Sequence, residues 1–185
     1  ESLYHAKDYT PNLSNLDMRS MMYPSFNKIK TYFNDQKKLK KSERKPLILC
    51  EYSHCMGNGP GDFEDYYELF EKYPEFVGGF VWEWCEHAAY DGKTSDGKER
   101  YLYGGDFGEN KHDGNYCVDG LVHPDRTPTS SLFELKNVYR PVRIKYSNGK
   151  LFITNKLDFL PLSEAVYIEY EIKSDGRHIS GGRFN

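Results

Sequence analysis

Among the residues of this chain, Glu51 has the clearest capacity for chemistry, because it follows the unbroken apolar run Leu47-Ile48-Leu49-Cys50. A run of that length reads as a strand buried on both faces of a parallel sheet. Side chains leaving the C-terminal ends of such strands line the active sites of β/α barrels. A carboxylate fixed there suits glycoside hydrolysis, in which one carboxyl must sit beside the anomeric carbon. Position alone also allows an ion-paired glutamate at a strand end, so the neighbours must decide. His54 lies just downstream, and Trp82 closes a second apolar run, Val77-Gly78-Gly79-Phe80-Val81-Trp82. Taken singly, a histidine is usually a satisfied core residue. Two other chemistries fit poorly. Gly57-Asn58-Gly59-Pro60-Gly61 lies between a strand and a helix and invites a dinucleotide-binding reading. Its spacing is not G-x-G-x-x-G, however, and Pro60 removes a donor where phosphate binding wants one. Cys50, Cys55, Cys85 and Cys117 show no CxxC spacing, which favours plain buried thiols over a zinc site or a disulfide framework.

The elements that must position these residues follow from periodicity. Asp17 to Tyr23 is a weak strand candidate. Ser25 can cap a helix whose apolar face is Phe26, Ile29, Tyr32 and Phe33, running to about Lys40. The basic cluster from Lys37 to Lys45 follows the end of that helix, where cations suit the dipole. Solvated surface is the simpler reading of that cluster than nucleic-acid binding. Asp62 to Tyr73 places Phe63, Tyr67 and Phe70 on one helical face, and Pro74 stops it. Strand, helix and strand from Leu47 to Trp82 make a βαβ unit. Cys85 to Asp125 is rich in Gly, Asp and Asn and reads as loop. Thr127-Pro128 opens a last helix, reaching about Tyr139. The first 140 residues thus hold about three successive β/α units.

Composition shifts at Pro141. Val142 to Tyr146 alternates at period two, Ser147-Asn148-Gly149-Lys150 supplies a hairpin turn, and Leu151 to Thr154 returns. Ala165 to Ile172 is a further strand. Residues 141–185 read as antiparallel β, too short for a sandwich of about 100 residues. They are expected to begin a second domain. Both chain ends read as cut: Glu1-Ser2-Leu3-Tyr4 carries no export signal, and Gly181 to Asn185 follows a strand-like stretch. A net charge of -3 gives no general attraction to nucleic acid. No apolar run approaches the ~20 residues of a membrane span. Sixteen tyrosines help to bring the aromatic content to 16%, a composition suited to stacking surfaces such as sugar clefts.

The segment Glu51-Tyr52-Ser53-His54-Cys55-Met56-Gly57-Asn58, preceded by Pro46 to Cys50, closely resembles the nucleophile signature of β-galactosidases of glycoside hydrolase family 2. Further matches follow in the family's order: Gly78-Gly79-Phe80-Val81-Trp82-Glu83-Trp84, Tyr103-Gly104-Gly105-Asp106-Phe107-Gly108, Tyr116-Cys117-Val118-Asp119-Gly120-Leu121-Val122, and Asp125-Arg126-Thr127-Pro128. Upstream, Met21-Met22-Tyr23-Pro24 matches the segment of the active-site tyrosine. The resemblance implies an α/β fold, the C-terminal part of a (β/α)8 TIM barrel over residues 1–140, followed by the first strands of an antiparallel β-sandwich domain over 141–185. It implies a retaining enzyme for terminal β-galactosides, with Glu51 as the ionised nucleophile that forms a covalent glycosyl-enzyme. Tyr23 is implied as the tyrosine contacting that carboxylate, and His54 as a contact to sugar hydroxyls and the transition state. Met22, Trp82 and Tyr116 are implied as substrate neighbours, Trp82 as an apolar wall for the galactose. Glu83 and Trp84 remain open between packing and a supporting role. Tyr116, through its carbonyl, and Asp119, through its side chain, fall on the family's monovalent-cation site. Some members carry Phe and Asn there, so this chain departs at both places.

The resemblance also implies Na⁺ and Mg²⁺ as cofactors, a homo-oligomer, a galactoside as the partner molecule, and a cytoplasmic location in the absence of an export signal. The resemblance places the acid/base carboxyl in an Asn-Glu dipeptide on an upstream barrel strand, and the Mg²⁺ carboxylates elsewhere in that upstream part. This chain has no Asn-Glu; Glu109-Asn110 is reversed and lies in a loop. The chain is therefore expected to be an internal fragment that does not turn over by itself. A sugar-binding fragment without hydrolysis is the competing non-enzymatic reading.

Overall fold

The computed structural model describes residues 16–184; the opening Glu1 to Tyr4, on which part of the fragment reading rests, lies outside them. The chain divides into two compact units between Val138 and Tyr139. In the first, the order is β1 (Arg19–Met22), α1 (Phe26–Gln36), β2 (Leu47–Tyr52), α2 (Phe63–Lys72), β3 (Phe76–Val81), the hairpin β4 (Ala89–Lys93) and β5 (Glu99–Leu102), and α3 (Ser130–Val138). Strands β1, β2 and β3 form a parallel sheet in that order. This is an α/β arrangement with helices crossing between neighbouring parallel strands.

Local chemistry sets the boundaries. The Ser25 hydroxyl accepts from the Lys28 amide at 3.3 Å and caps α1, a contact whose loss to alanine costs about 1 kcal/mol. The helix ends at Gln36, earlier than the expected Lys40, and Lys41–Glu43 is a separate 3-10 turn. In α2 the fully buried positions are Phe63, Tyr66 and Leu69, with Tyr67 and Phe70 only partly covered. The expected face of Phe63, Tyr67 and Phe70 is therefore rotated toward Tyr66, whose hydroxyl donates to the Pro24 carbonyl at 2.9 Å. Aromatic rings fill the space between sheet and helices: Phe33 stacks on Tyr73 at 4.3 Å, and Tyr52 meets Tyr66 edge-on at 5.0 Å.

Strand β3 is not buried on both faces as its apolar run suggests, since Val77 is 53% and Phe80 65% exposed. Its core-facing side is closed by Gly79, where a Cβ would lie 2.8 Å from Leu49 Cβ. The region from Cys85 to Asp125, expected as loop, contains the antiparallel pair β4–β5. Helix α3 starts at Ser130 rather than at Thr127-Pro128. Those two residues instead serve a turn: the Asp125 carboxylate accepts from the Thr127 amide and hydroxyl at 2.8 and 2.6 Å.

The second unit holds the hairpin β6 (Val142–Ser147) and β7 (Lys150–Asn155), a short α4 (Leu162–Ala165), and the hairpin β8 (Ile168–Ser174) and β9 (Arg177–Phe184). Asn148 and Gly149 have φ of 50° and 73°, and Asp175 and Gly176 have 48° and 77°. Two consecutive positive-φ residues make the turn whose twist matches antiparallel strands. The strand expected over Ala165 to Ile172 starts only at Ile168, because Ala165 closes α4. Every residue of β7 is exposed, and the buried hydrophobic core ends at Val138. Among the described residues no helix is long and apolar enough to cross a membrane.

Candidate active site

The site forms where the three parallel strands end. In β2, Leu47, Leu49 and Tyr52 are fully buried in the core with α1 and α2. Strict alternation from Leu49 would send Glu51 to that same side. The pairing register shifts between Leu49 and Tyr52 on the β3 side and between Met21 and Met22 on the β1 side. An irregularity of this kind re-aims a side chain, and Glu51 leaves away from the core while Tyr52 returns to it. Met22 stands opposite Glu51 across β1 and β2.

Directly after each strand the backbone turns sharply. Tyr23 has φ of 43° and Ser53 of 54°, a left-handed conformation that costs a non-glycine residue roughly 1–2 kcal/mol. Hydrogen bonds hold both turns. The Tyr23 amide donates to the Glu51 carbonyl at 3.0 Å, and the buried Ser53 hydroxyl donates to Asp62 at 2.7 Å. Burial pushes the Asp62 carboxyl above its ordinary range, an effect the Ser53 bond partly offsets. Trp82 is tied to the same exit, its amide donating to Tyr52 at 3.1 Å and its carbonyl accepting from Cys55 at 2.9 Å.

These turns bring side chains together. Burial raises the Tyr23 phenol far above its usual range, and the charge of the neighbouring Glu51 carboxylate adds to this. The Tyr23 and His54 rings are 5.9 Å apart, and the His54 and Tyr116 rings 6.3 Å. His54 Nε2 lies 3.2 Å from Asp119 Oδ2, the same oxygen that accepts from Trp82 Nε1 at 3.2 Å. Asp119 is 1% exposed, and its other oxygen, Oδ1, is buried without a hydrogen-bond partner.

Asp119 is delivered by backbone pairing. The Glu83 amide donates to the Asp119 carbonyl at 3.1 Å, the Leu121 amide to Glu83 at 2.8 Å, and the Glu86 amide to Val122 at 3.0 Å. Gly120 permits this approach, because a Cβ there would fall 2.2 Å from the Glu86 amide nitrogen. Glu83 turns its carboxyl toward the same place. Burial raises it above the usual carboxylate range, as does hydrogen bonding toward Asp119, while His87, 3.1 Å away, pulls it down.

The structure thus gathers Met22, Tyr23, Glu51, His54, Trp82, Tyr116 and Asp119 around one strand-end region. Trp84 stays outside that group, 61% exposed and held by its carbonyl to Val122. The contact of Asp119 with His54 and Trp82 had no signal in the sequence, because 65 and 37 residues separate them. Asp119 Oδ1 has no donor placed against it, which is costly for a buried oxygen unless a proton or a cation meets it; the raised Glu83 carboxyl or a hard monovalent cation would each serve. Among the described residues no three His, Cys, Asp or Glu side chains cluster as a metal site. The four cysteines are free, and only Cys55 is fully buried. The expectation of buried thiols therefore holds for Cys55 alone, as the other three lie half-exposed beside strand ends and loops.

Comparison with known proteins agrees with this geometry. The chain is 47% identical over 184 residues to a beta-galactosidase of Actinobacillus pleuropneumoniae, covering 100% of this chain and 17% of that protein. A Staphylococcus xylosus beta-galactosidase is 43% identical over 183 residues, covering 98% and 18%. One from Kluyveromyces lactis is 43% identical over 162 residues, covering 85% and 16%. The chain spans less than a fifth of the length of these relatives. Residues 4–144 match the family described as glycosyl hydrolases family 2, TIM barrel domain, and the chain belongs to that family.

Proposed function

We propose that this chain is the nucleophile-bearing part of a retaining β-galactosidase. The observation that carries the reading is the Glu51 carboxylate at the end of β2 with the half-buried Tyr23 phenol close enough to feel its charge. Residues 1–140 would complete the C-terminal side of a (β/α)8 barrel, and residues 141–185 would begin a β-sandwich domain. The substrate would be a terminal β-galactoside, and the complete protein a cytoplasmic homo-oligomer.

In the first step a Glu51 oxygen bonds to the anomeric carbon as the bond to the aglycone oxygen breaks. The leaving oxygen takes its proton from a second carboxyl, which the family resemblance places upstream of this chain. In the second step that group removes a proton from water, and the water oxygen displaces Glu51. Tyr23 remains a neutral phenol throughout, able to donate to the carboxylate before attack and after release. Trp82 offers a ring face to the sugar's C–H surface, with Met22 beside it, while His54 and Tyr116 flank the hydroxyls. Asp119 Oδ1 and the Tyr116 carbonyl would hold Na⁺, which supplies positive charge to sugar oxygens when bound. Mg²⁺ would be held by upstream residues.

The test compares nitrophenyl β-galactoside, β-glucuronide and β-mannoside on the complete protein. The reading expects kcat/KM at least ~100-fold higher on the galactoside, the discrimination available to a site built to hydrogen-bond its own substrate's hydroxyls. Equal rates, or a preference for either other sugar, would contradict it.

A further inference from the structure

We infer that Asp119 is a positioning residue: one of its carboxylate oxygens holds both His54 and Trp82 in the orientation they present to the sugar. The inference rests on the proposed function, under which His54 and Trp82 touch the substrate. Three observations support it. His54 Nε2 and Trp82 Nε1 meet the same oxygen, Oδ2, each at 3.2 Å. The Asp119 side chain is wholly buried, whereas His54 and Trp82 remain about one third exposed. The carboxylate therefore works from behind two rings whose other sides are accessible. The backbone of Asp119 is also paired with Glu83, the residue directly after Trp82, so the anchor and one of the rings it holds move together.

The chemistry follows from what a carboxylate can do. It only accepts, so His54 must carry a proton on Nε2, which fixes the ring's rotation toward Asp119. The Trp82 N–H is satisfied within the protein, which leaves the indole face for apolar packing. Tyr23 and Tyr116 stand beside the imidazole at ring distances of 5.9 and 6.3 Å, but ring contacts alone set neither tautomer nor rotation.

The test is a double-mutant cycle in the complete protein with D119L, H54F and D119L/H54F, alongside D119N and W82F. Each is assayed with o-nitrophenyl galactoside and by calorimetric binding of a galactose-configured iminosugar, in sodium and in choline buffer. D119L is expected to lower kcat/KM and iminosugar affinity by about 100-fold, the cost of a misplacement near 1 Å. The double variant should lie within about 3-fold of the worse single, because coupled residues are not additive. D119N keeps an oxygen acceptor and should recover to within about 10-fold of wild type. The loss should persist in choline buffer. Losses that multiply in the double variant would overturn the inference. So would D119N being as impaired as D119L, or wild type falling to the D119L level in choline, which would make Asp119 a cation ligand alone. Unchanged kinetics in both H54F and W82F would instead refute the functional reading. If D119L does not fold, D119S replaces it, since serine is too short to reach both rings.

Discussion

Substituting Gly120 with alanine tests whether the backbone clasp behind the site is as tight as it looks. A Cβ at this position would lie 2.2 Å from the Glu86 nitrogen, 2.6 Å from the Cys85 carbonyl carbon and 2.6 Å from the Val122 oxygen. All three are backbone atoms, so no side-chain rotation relieves the contact. The segments carrying Glu83 to Glu86 and Asp119 to Val122 must separate by roughly 1 Å to reach ordinary packing distance. Overpacking of this kind costs about 1–3 kcal/mol. The separation also weakens three interstrand bonds, Glu83 to Asp119, Leu121 to Glu83 and Glu86 to Val122, each contributing about 1 kcal/mol. The sum, roughly 4–6 kcal/mol if all three bonds are lost, lowers Tm by about 8–24 °C for a domain of 150–250 residues. Scanning fluorimetry on the complete protein reads this directly. G57A is the control, because Gly57 has φ of 64° but no atom within 4 Å of its added Cβ, giving a strain cost of only about 1–2 kcal/mol. The kcat/KM of G120A should also fall at least ~10-fold, as Asp119 is carried away from His54 and Trp82. A G120A protein as stable and active as G57A would refute the reasoning.

Other outcomes follow from the same structure. Y23F removes the phenol hydroxyl beside the Glu51 carboxylate; a hydrogen bond made from it to that charged group during the reaction would contribute about 1.5–3 kcal/mol, so steady-state kinetics should show kcat reduced about 10- to 100-fold. Burial, with Asp119 and Asp62 adding charge, pushes the Cys55 thiol up to about 12. Its folded pKa is above the unfolded one, so its contribution is complete below ~8.5 and is lost as pH rises toward about 12. Thermal melts across that window should fall less steeply for C55A than for wild type. The isolated 185-residue chain should show no turnover of nitrophenyl galactoside under conditions where the complete protein is active, because it lacks an Asn-Glu acid/base carboxyl.

Much of the site was legible because strand-end chemistry and strand hydrophobicity coincide in sequence. The run Leu47 to Cys50 announced β2, and Ser25 announced the start of α1 through its side-chain oxygen. The hairpin turn at Asn148-Gly149 was equally plain, since few other pairs accept two positive φ values. What escaped was set by tertiary contact. β4 and β5 contain Gly92, Asp91 and Lys93, poor strand formers that pair with each other all the same. The buried face of α2 turned toward Tyr66 because its hydroxyl finds the Pro24 carbonyl, 42 residues away. The exposure of Val77 and Phe80 could not be read from apolarity, which says what a strand tolerates rather than what covers it. Within the site, Glu51, Tyr23, His54 and Trp82 were each named from motifs. The single oxygen that joins His54 to Trp82 exists only once Gly120 lets two segments touch.

Trapping with an activated 2-deoxy-2-fluoro-galactoside addresses the central claim most directly. Incubated with the complete protein and digested, it should yield one labelled peptide, heavier by a single fluorogalactosyl group, with fragmentation placing the mass on Glu51. A label on any other side chain, or inactivation without a covalent adduct, would contradict the assignment of the nucleophile.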